Sequence, residues 1–488
     1  MAVNKDREGN SGPRRTSPPA GGRYLLGLDV GSTTARAIVF DLGGGPVAEA
    51  YREPPIHHPQ PDRAEVEAED WWRCAGQVIR EALARGGIAP GSILAVGLCG
   101  LLHALVPIDR VGRPLARAML WMDRRCRPQA QWLEREHRRL IEAAGGPSPM
   151  STTWSAPKLR WIAEHDPDLL QRTQVFLPAK DYCRFRLTGT IATDPSDAHG
   201  TALLDHSSGE WSPGLLEAVG VALEKLPPIR DSAAVAGTVT PQAARSTGLL
   251  AGTPVVVGGG DTMCTRLGAG ALDTGRACLY LGTAAWISAP GPRAATLSAT
   301  ATTGATLKWL CGLFGPEASY ESLLREAAQA GPGAKGLIFL PHLMGERGPR
   351  DDPEARGVFF GLTLAHGRPE MARAALEGCA CQLRAIVEAL SGRPIEEMVV
   401  AGGGAKSALW RGIIADVTGI PLLVPRVLEA GALGAAILAG VGVGVYPGLG
   451  QAVAEVVRIV ERRTPDPQAR SAYDQVYRAF LALEERVA

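Results

Sequence analysis

The stretch YLLGLDVGSTTARAIVFD, residues 24–41, holds two apolar runs separated by the turn Gly31, Ser32, Thr33, Thr34. The runs predict two strands. Small hydroxyl residues and a glycine at the tip leave backbone N–H groups open to an anion. CLYLGTAAWIS, residues 278–288, repeats the device around Gly282 and Thr283. Two such hairpins in distant parts of one chain predict a phosphate chain gripped from two halves of the molecule.

A chain of 488 residues exceeds one ordinary core, so two domains are expected. The formal net charge of +1 offers no global field for nucleic acid or an anionic membrane surface. Nine cysteines are scattered without a CxxC pair, which fits reduced thiols in a cytoplasmic protein and argues against structural zinc. Residues 1–22 lack an apolar run and are rich in Pro, Gly and charge; they read as a disordered tail, not a signal peptide. The Ala- and Gly-rich stretch 430–446 is short for a membrane span and predicts a tightly packed helix followed by a glycine-rich turn.

Strand-like runs alternate with helical periods throughout, which predicts an α/β architecture. Strands are expected over 24–29, 35–41, 47–51 and 93–100. A helix beginning near Glu69 carries Trp71, Trp72, Ala75, Val78 and Ile79 at helical spacing. PVVVGGGD (254–261) and MVVAGGG (398–404) read as strands ending in glycines. The domain boundary is expected near 250–256, giving domains 23–253 and 254–488.

Several side chains are placed for chemistry. Asp29, at the mouth of the first hairpin, would repel a phosphate unless a metal lay between, so it either holds Mg²⁺ or caps the turn. Arg36 either orients a phosphate or forms an ion pair. Asp261 follows three glycines at a strand's carboxyl end, where open α/β sheets bind ligands. It can take a proton from a hydroxyl, or cap a helix starting at Thr262. His103 follows a strand end and is a polar substrate contact or a structural residue. Trp121, Asp123 and Arg125 suit the apolar face and hydroxyls of a sugar, or else form a core Trp beside an ion pair. Gly402 and Gly403 between strand and helix suit a nucleotide. Ser407 breaks the dinucleotide fingerprint, and no Walker A, HRD or DFG motif occurs.

In this order the motifs resemble the FGGY carbohydrate kinases. The likeness runs from about Tyr24 to about Gly440. It rests on LGLDVGSTTARA, WxDxR at 121–125, KDYCRFRLTG (180–189), TDPSDAHGTALLD (193–205), GGGD and LPHLMGERGPRDDPEARGVFFGL (340–362), with GGGAKSALWRGIIADVTG (402–419) after them. The resemblance implies two actin-like ATPase (ribonuclease H-like) domains around an interdomain cleft, and ATP- and Mg²⁺-dependent phosphorylation of a sugar or polyol. It implies Asp261 as general base and Asp29 near Mg²⁺. Gly31, Ser32, Thr33, Arg36, Gly282, Thr283, Gly402, Gly403 and Ser407 would lie on the ATP side. Leu102, His103, Trp121, Asp123 and Thr262 would lie on the sugar side. The family's members are often dimers.

The second half is most similar to the xylulokinases, which implies a ketopentose such as D-xylulose. Leu102, Met122 and Thr262 depart from that group's usual Met, Asn and Asn, and lost amides change which hydroxyls a site can read. Another ketose, a polyol or gluconate stands behind D-xylulose. An actin-like nucleotide switch is the alternative from another class; the incomplete fingerprint disfavours a nicotinamide dehydrogenase.

Overall fold

The computed structural model describes residues 22–273, 275–289, 296–350, 352, 354–390 and 394–487. All but the last residue of the expected tail lies outside them. Two sheets organise the chain. In the first, the strands run Val235–Thr238, Pro254–Val256, Ile93–Gly100, Tyr24–Val30, Ala35–Asp41, Pro46–Arg52. In the second, the order is Ile459–Arg463, Leu422–Pro425, Glu397–Ala401, Arg276–Leu281, Ala285–Ala289, Thr296–Ala299. The plans are the same. Three antiparallel strands built from a hairpin join two parallel strands, and an antiparallel strand closes the far edge.

The expected α/β class holds, and both hairpins form where the apolar runs required. The helix Ala68–Gly86 buries Trp71, Val78 and Ile79 against the first sheet. The expectation for the boundary needs correction. Pro254–Val256 pairs parallel to Ile93–Gly100, so it belongs to the first sheet rather than opening the second half. Val255 and Val256 are buried, as a strand covered on both faces requires. The chain leaves the first sheet through the helix Asp261–Ala269.

That helix crosses a second one, Ala430–Gly442, which follows Leu422–Pro425 in the other sheet. A Cβ on Gly434 would lie 1.9 Å from the Cys264 carbonyl oxygen, and one on Gly268 2.0 Å from that of Ala430. The same helix lies on the first sheet, where a Cβ on Gly27 or Gly97 would strike the carbonyls of Ala432 and Ala435. Backbone therefore meets backbone along the seam between the halves. The stretch 430–446 is this helix and its turn, and no described helix is long and apolar enough to cross a membrane.

Between the strands Ile93–Gly100 and Val235–Thr238, a helical insertion builds its own core from Leu133, Leu159, Trp211 and their neighbours. Its helix Ser155–His165 and the short helix Pro195–Gly200 reach back to the end of the strand Ile93–Gly100.

Candidate active site

Asp29 is next to last in its strand, opposite Arg36 in the hairpin and Cys99 in the parallel neighbour. Its Oδ2 would lie 3.2 Å from a Cβ on Gly431, so any larger residue there would crowd the carboxylate. Burial and the nearby Asp261 push the Asp29 carboxyl up to about 7, against the pull of Cys99 and Arg36.

Asp261 opens its helix, with Gly260 at the cap position. Its carboxylate accepts from the neighbouring Thr262 N–H at 2.6 Å and the Thr262 hydroxyl at 3.2 Å. Burial pushes this carboxyl up to about 6, while Thr262 and Arg347 oppose the rise. Such a group sits ionised at neutral pH yet basic enough to take a proton. The glycines before it leave little room, and backbone contact requires glycine at Gly258. A Cβ on Gly258, which has φ +85°, would lie 2.3 Å from the Leu98 carbonyl, and one on Gly260 2.3 Å from Leu102 Cδ2.

The peptide before Asp261 is held from below. Gly260 N–H donates to Ser196 Oγ at 2.8 Å, and Ser196 donates to Asp194. Asp194 lies 3.0 Å from Lys180 Nζ, which also meets Asp181 at 2.7 Å and Asp197 at 2.8 Å. All four side chains are buried. This is what the runs KDYCRFRLTG and TDPSDAHG build: an ion network that fixes the approach to Asp261.

Opposite lies His103, at φ +72°. Its Nδ1–H donates to the Gly200 carbonyl at 2.7 Å, and its ring meets Trp154 edge-on with centroids 4.8 Å apart. Burial and the Lys158 ammonium pull its pKa down to about 3, so the ring is neutral and Nε2 keeps its lone pair. Leu102 packs on Gly260 and Gly200. Trp121 Nε1–H donates to Ser32 Oγ at 3.1 Å, and the Arg347 guanidinium lies 4.4 Å from the Trp121 ring centre. A cleft of about 570 Å³ opens beside them, lined from the first half by Trp121, Met122 and Thr152 and from the second by Ala301, Glu346 and Arg347.

On the other side, the two hairpin tips expose Thr33 and Thr283. The Tyr280 ring lies between Gly282 and Gly402: a Cβ on either would come within 3 Å of it. Gly403 is exposed, with nothing within 4 Å of an added Cβ.

Three expected site residues are engaged elsewhere. Asp123 is fully buried and gives both oxygens to Arg125 and the Ala64 N–H, so it shapes the loop rather than facing the cleft. Arg36 pairs with Glu429 at 2.7 Å. Ser407 caps the helix Ala408–Thr418 by accepting from the Trp410 N–H. The sequence reading missed Tyr280 and Glu429. The repeat of the strand–turn pattern was the available signal, because Tyr280 takes the place of Asp29 and Glu429 that of Asp261.

Comparisons with known proteins agree with this fold. Residues 24–268 match the FGGY family of carbohydrate kinases, N-terminal domain, and residues 285–443 match its C-terminal domain. The xylulose kinase of Escherichia coli (strain K12) is 31% identical over 485 residues, covering 95% of this chain and 99% of its own. The autoinducer-2 kinase of Yersinia enterocolitica is 32% identical over 502 residues, covering 94% and 93%. The crystal structure of xylulose kinase from Rhodospirillum rubrum superposes with a TM-score of 0.80 at 31% identity, covering 95% and 99%. With both family domains matched in order on two actin-like sheets, the chain belongs to the FGGY family of carbohydrate kinases, which phosphorylate sugars from ATP.

Proposed function

We propose that this kinase transfers the γ-phosphoryl group of ATP to a hydroxyl of a ketose, with D-xylulose the first candidate. The observation that carries the reading is Asp261, a partly buried carboxylate with a pKa raised to about 6 at the junction of the two halves. The acceptor oxygen attacks the γ-phosphorus, the bond to the bridging oxygen breaks, and ADP departs. Asp261 takes the hydroxyl proton as the new bond forms. His103 accepts from an acceptor hydroxyl through Nε2, and Trp121 offers its face to the sugar's C–H surface. Thr262 spends its hydroxyl on Asp261, orienting the base rather than reading the sugar.

The exposed tips at Gly31–Thr33 and Gly282–Thr283 hold the phosphates, and Gly402 with Gly403 leaves room for the nucleotide. Asp29 and Asp261 are partly buried carboxylates close enough for Asp261 to raise the Asp29 pKa, a pairing that a hard divalent cation suits, so Asp29 would hold Mg²⁺. When bound, that ion neutralises charge on the transferring phosphates.

D-Xylulose leads because relatives of that name match end to end. Leu102 and Met122 favour a second reading. Met122 lines the cleft and Leu102 packs on Gly260, so neither offers an amide to a sugar hydroxyl, and relatives named autoinducer-2 kinase also match over most of the chain. ATP consumption by purified protein with Mg²⁺ and a panel of pentuloses, hexuloses, polyols, aldonates and autoinducer-2 tests both. Strong stimulation by D-xylulose supports the first reading. Preference for another member overturns it in favour of that compound, and no stimulation by any sinks the kinase reading.

A further inference from the structure

Lys158 has entered the site so far only as a charge near His103. It stands on the insertion helix Ser155–His165, and only 3% of it is exposed. Its Nζ donates to two backbone carbonyls, that of His103 at 2.9 Å and that of Thr153 at 3.0 Å. Taking an ammonium out of water to serve two carbonyls is costly. The cost shows in the lysine itself, whose pKa falls to about 8 through burial.

The carbonyl it holds belongs to a strained residue. His103 is one of few non-glycine residues here with positive φ, a conformation that persists only where the surroundings impose it. Three ties do so: Lys158 on the carbonyl, Gly200 on Nδ1 and the Trp154 edge against the ring. Two of the three come from the segment 153–158 of the insertion.

The charged and titratable groups that face the imidazole are Lys158, Arg347 and His199, and each of them disfavours the imidazolium. His199 is itself held neutral by burial and by His206, with its pKa lowered to about 4. Around Lys158 stand Cys126, Asp123, Arg347 and Arg125. Asp123 is already claimed by Arg125, and Cys126 is a buried thiol with its pKa pushed up to about 11.

We propose that Lys158 is a positioning residue for the acceptor: seated on the His103 carbonyl, its ammonium fixes the left-handed turn that presents the imidazole in its neutral form. Nε2 is then a permanent acceptor for a substrate hydroxyl. The proposal rests on the kinase reading above for its substrate, but not for the state of the ring.

The test compares Lys158→Met and Lys158→Arg with the unaltered enzyme. In Lys158→Met, KM for the acceptor rises by about ten- to a hundredfold while KM for ATP stays within about twofold. Removing the cation also lets His103 protonate more readily, so in ¹⁵N-histidine spectra the midpoint of that ring moves to higher pH. Lys158→Arg, which keeps the charge, retains the original midpoint. An unmoved midpoint with an unmoved acceptor KM overturns the proposal. So does equal loss of affinity for acceptor and ATP.

If Lys158→Met does not fold, ¹⁵N-histidine spectra of the intact unaltered chain decide. One imidazole, identified by its loss in His103→Asn, stays neutral far below the ordinary midpoint of about 6.5. Titration of that ring near 6.5 overturns the proposal. The spectra need no acceptor, so a failure of the kinase reading would leave this result standing.

Discussion

In the first hairpin Asp29 faces Arg36 across the ladder; at the same place in the second, Tyr280 faces Trp286, the rings stacked with centroids 5.3 Å apart. The parallel strand beside the first hairpin ends in Gly100 and runs into Leu102 and His103. Its counterpart in the second sheet ends in Ala401 and runs into three glycines. The next strand leads to Asp261 at one helix start and to Glu429 before the other. One chain path is thus loaded twice. The first half carries ionisable groups that act on protons. The second carries rings and bare backbone, and the acid at its helix start is neutralised by Arg36 from the first half. A duplicated fold divides its labour by side chain, not by topology.

Asp261→Asn breaks that division most sharply. The amide keeps the shape but cannot take a proton, so kcat falls by about 10²–10⁴-fold. KM for ATP stays unchanged, measured by coupled ADP release. In the unaltered enzyme Asp261 must be ionised, so kcat/KM for the acceptor falls as pH drops through about 6. Matching Glu429→Gln should leave that acid limb where it is, because its partner is Arg36 and not the substrate. Next in size is Lys180→Met, which leaves Asp194 and Asp197 without their cation in the core of the first half, while Asp181 keeps Arg184. Losing one partner of a buried ionic cluster costs about 3–5 kcal/mol, read as a lowered denaturant midpoint. The second half has no counterpart to this cluster beneath its glycine turn among the described residues, which is why the larger loss is expected in the first.

The hairpins, the glycine turns and Asp261 were legible because each rests on local pattern: apolar runs, hydroxyl tips, a strand ending in glycine. What was not legible depends on contacts across the chain. Pro254–Val256 looks like the start of something new, and only its pairing with Ile93–Gly100 returns it to the first sheet. Asp123 looks like a sugar ligand until the Ala64 N–H and Arg125 occupy both oxygens. Lys180 stood in a run that carried the family resemblance, but its partners at 194 and 197 lie on another helix. Nothing near Gly27 or Gly97 demands a glycine; the demand comes from carbonyls of a helix more than three hundred residues on.

Those seam glycines supply the next way to separate the halves. Gly97→Ala would place a methyl 1.8 Å from the Ala435 carbonyl, where backbone cannot yield without moving the helix. Overpacking of this kind costs about 1–3 kcal/mol. Because the helix Ala430–Gly442 joins both sheets, the loss should appear as one cooperative unfolding transition at lower denaturant. Two separated transitions would mean that the halves fold independently.

Gly403→Ala is the contrast, and the smallest effect. It lies at the place in the second half that the His103 loop takes in the first, yet an added Cβ meets nothing within 4 Å. Its backbone does not require glycine either, since Gly402 alone of the turn's three glycines has positive φ. Stability should therefore change by no more than about 0.5 kcal/mol. If the open face of this turn receives the nucleotide, the methyl takes up space that ATP would use, and KM for ATP rises a few-fold with the acceptor KM unmoved. The same methyl raising the acceptor KM instead would reverse the assignment of the two sides. Only a rise confined to ATP keeps the comparison intact: charge for the proton in one half, vacant backbone for the nucleotide in the other.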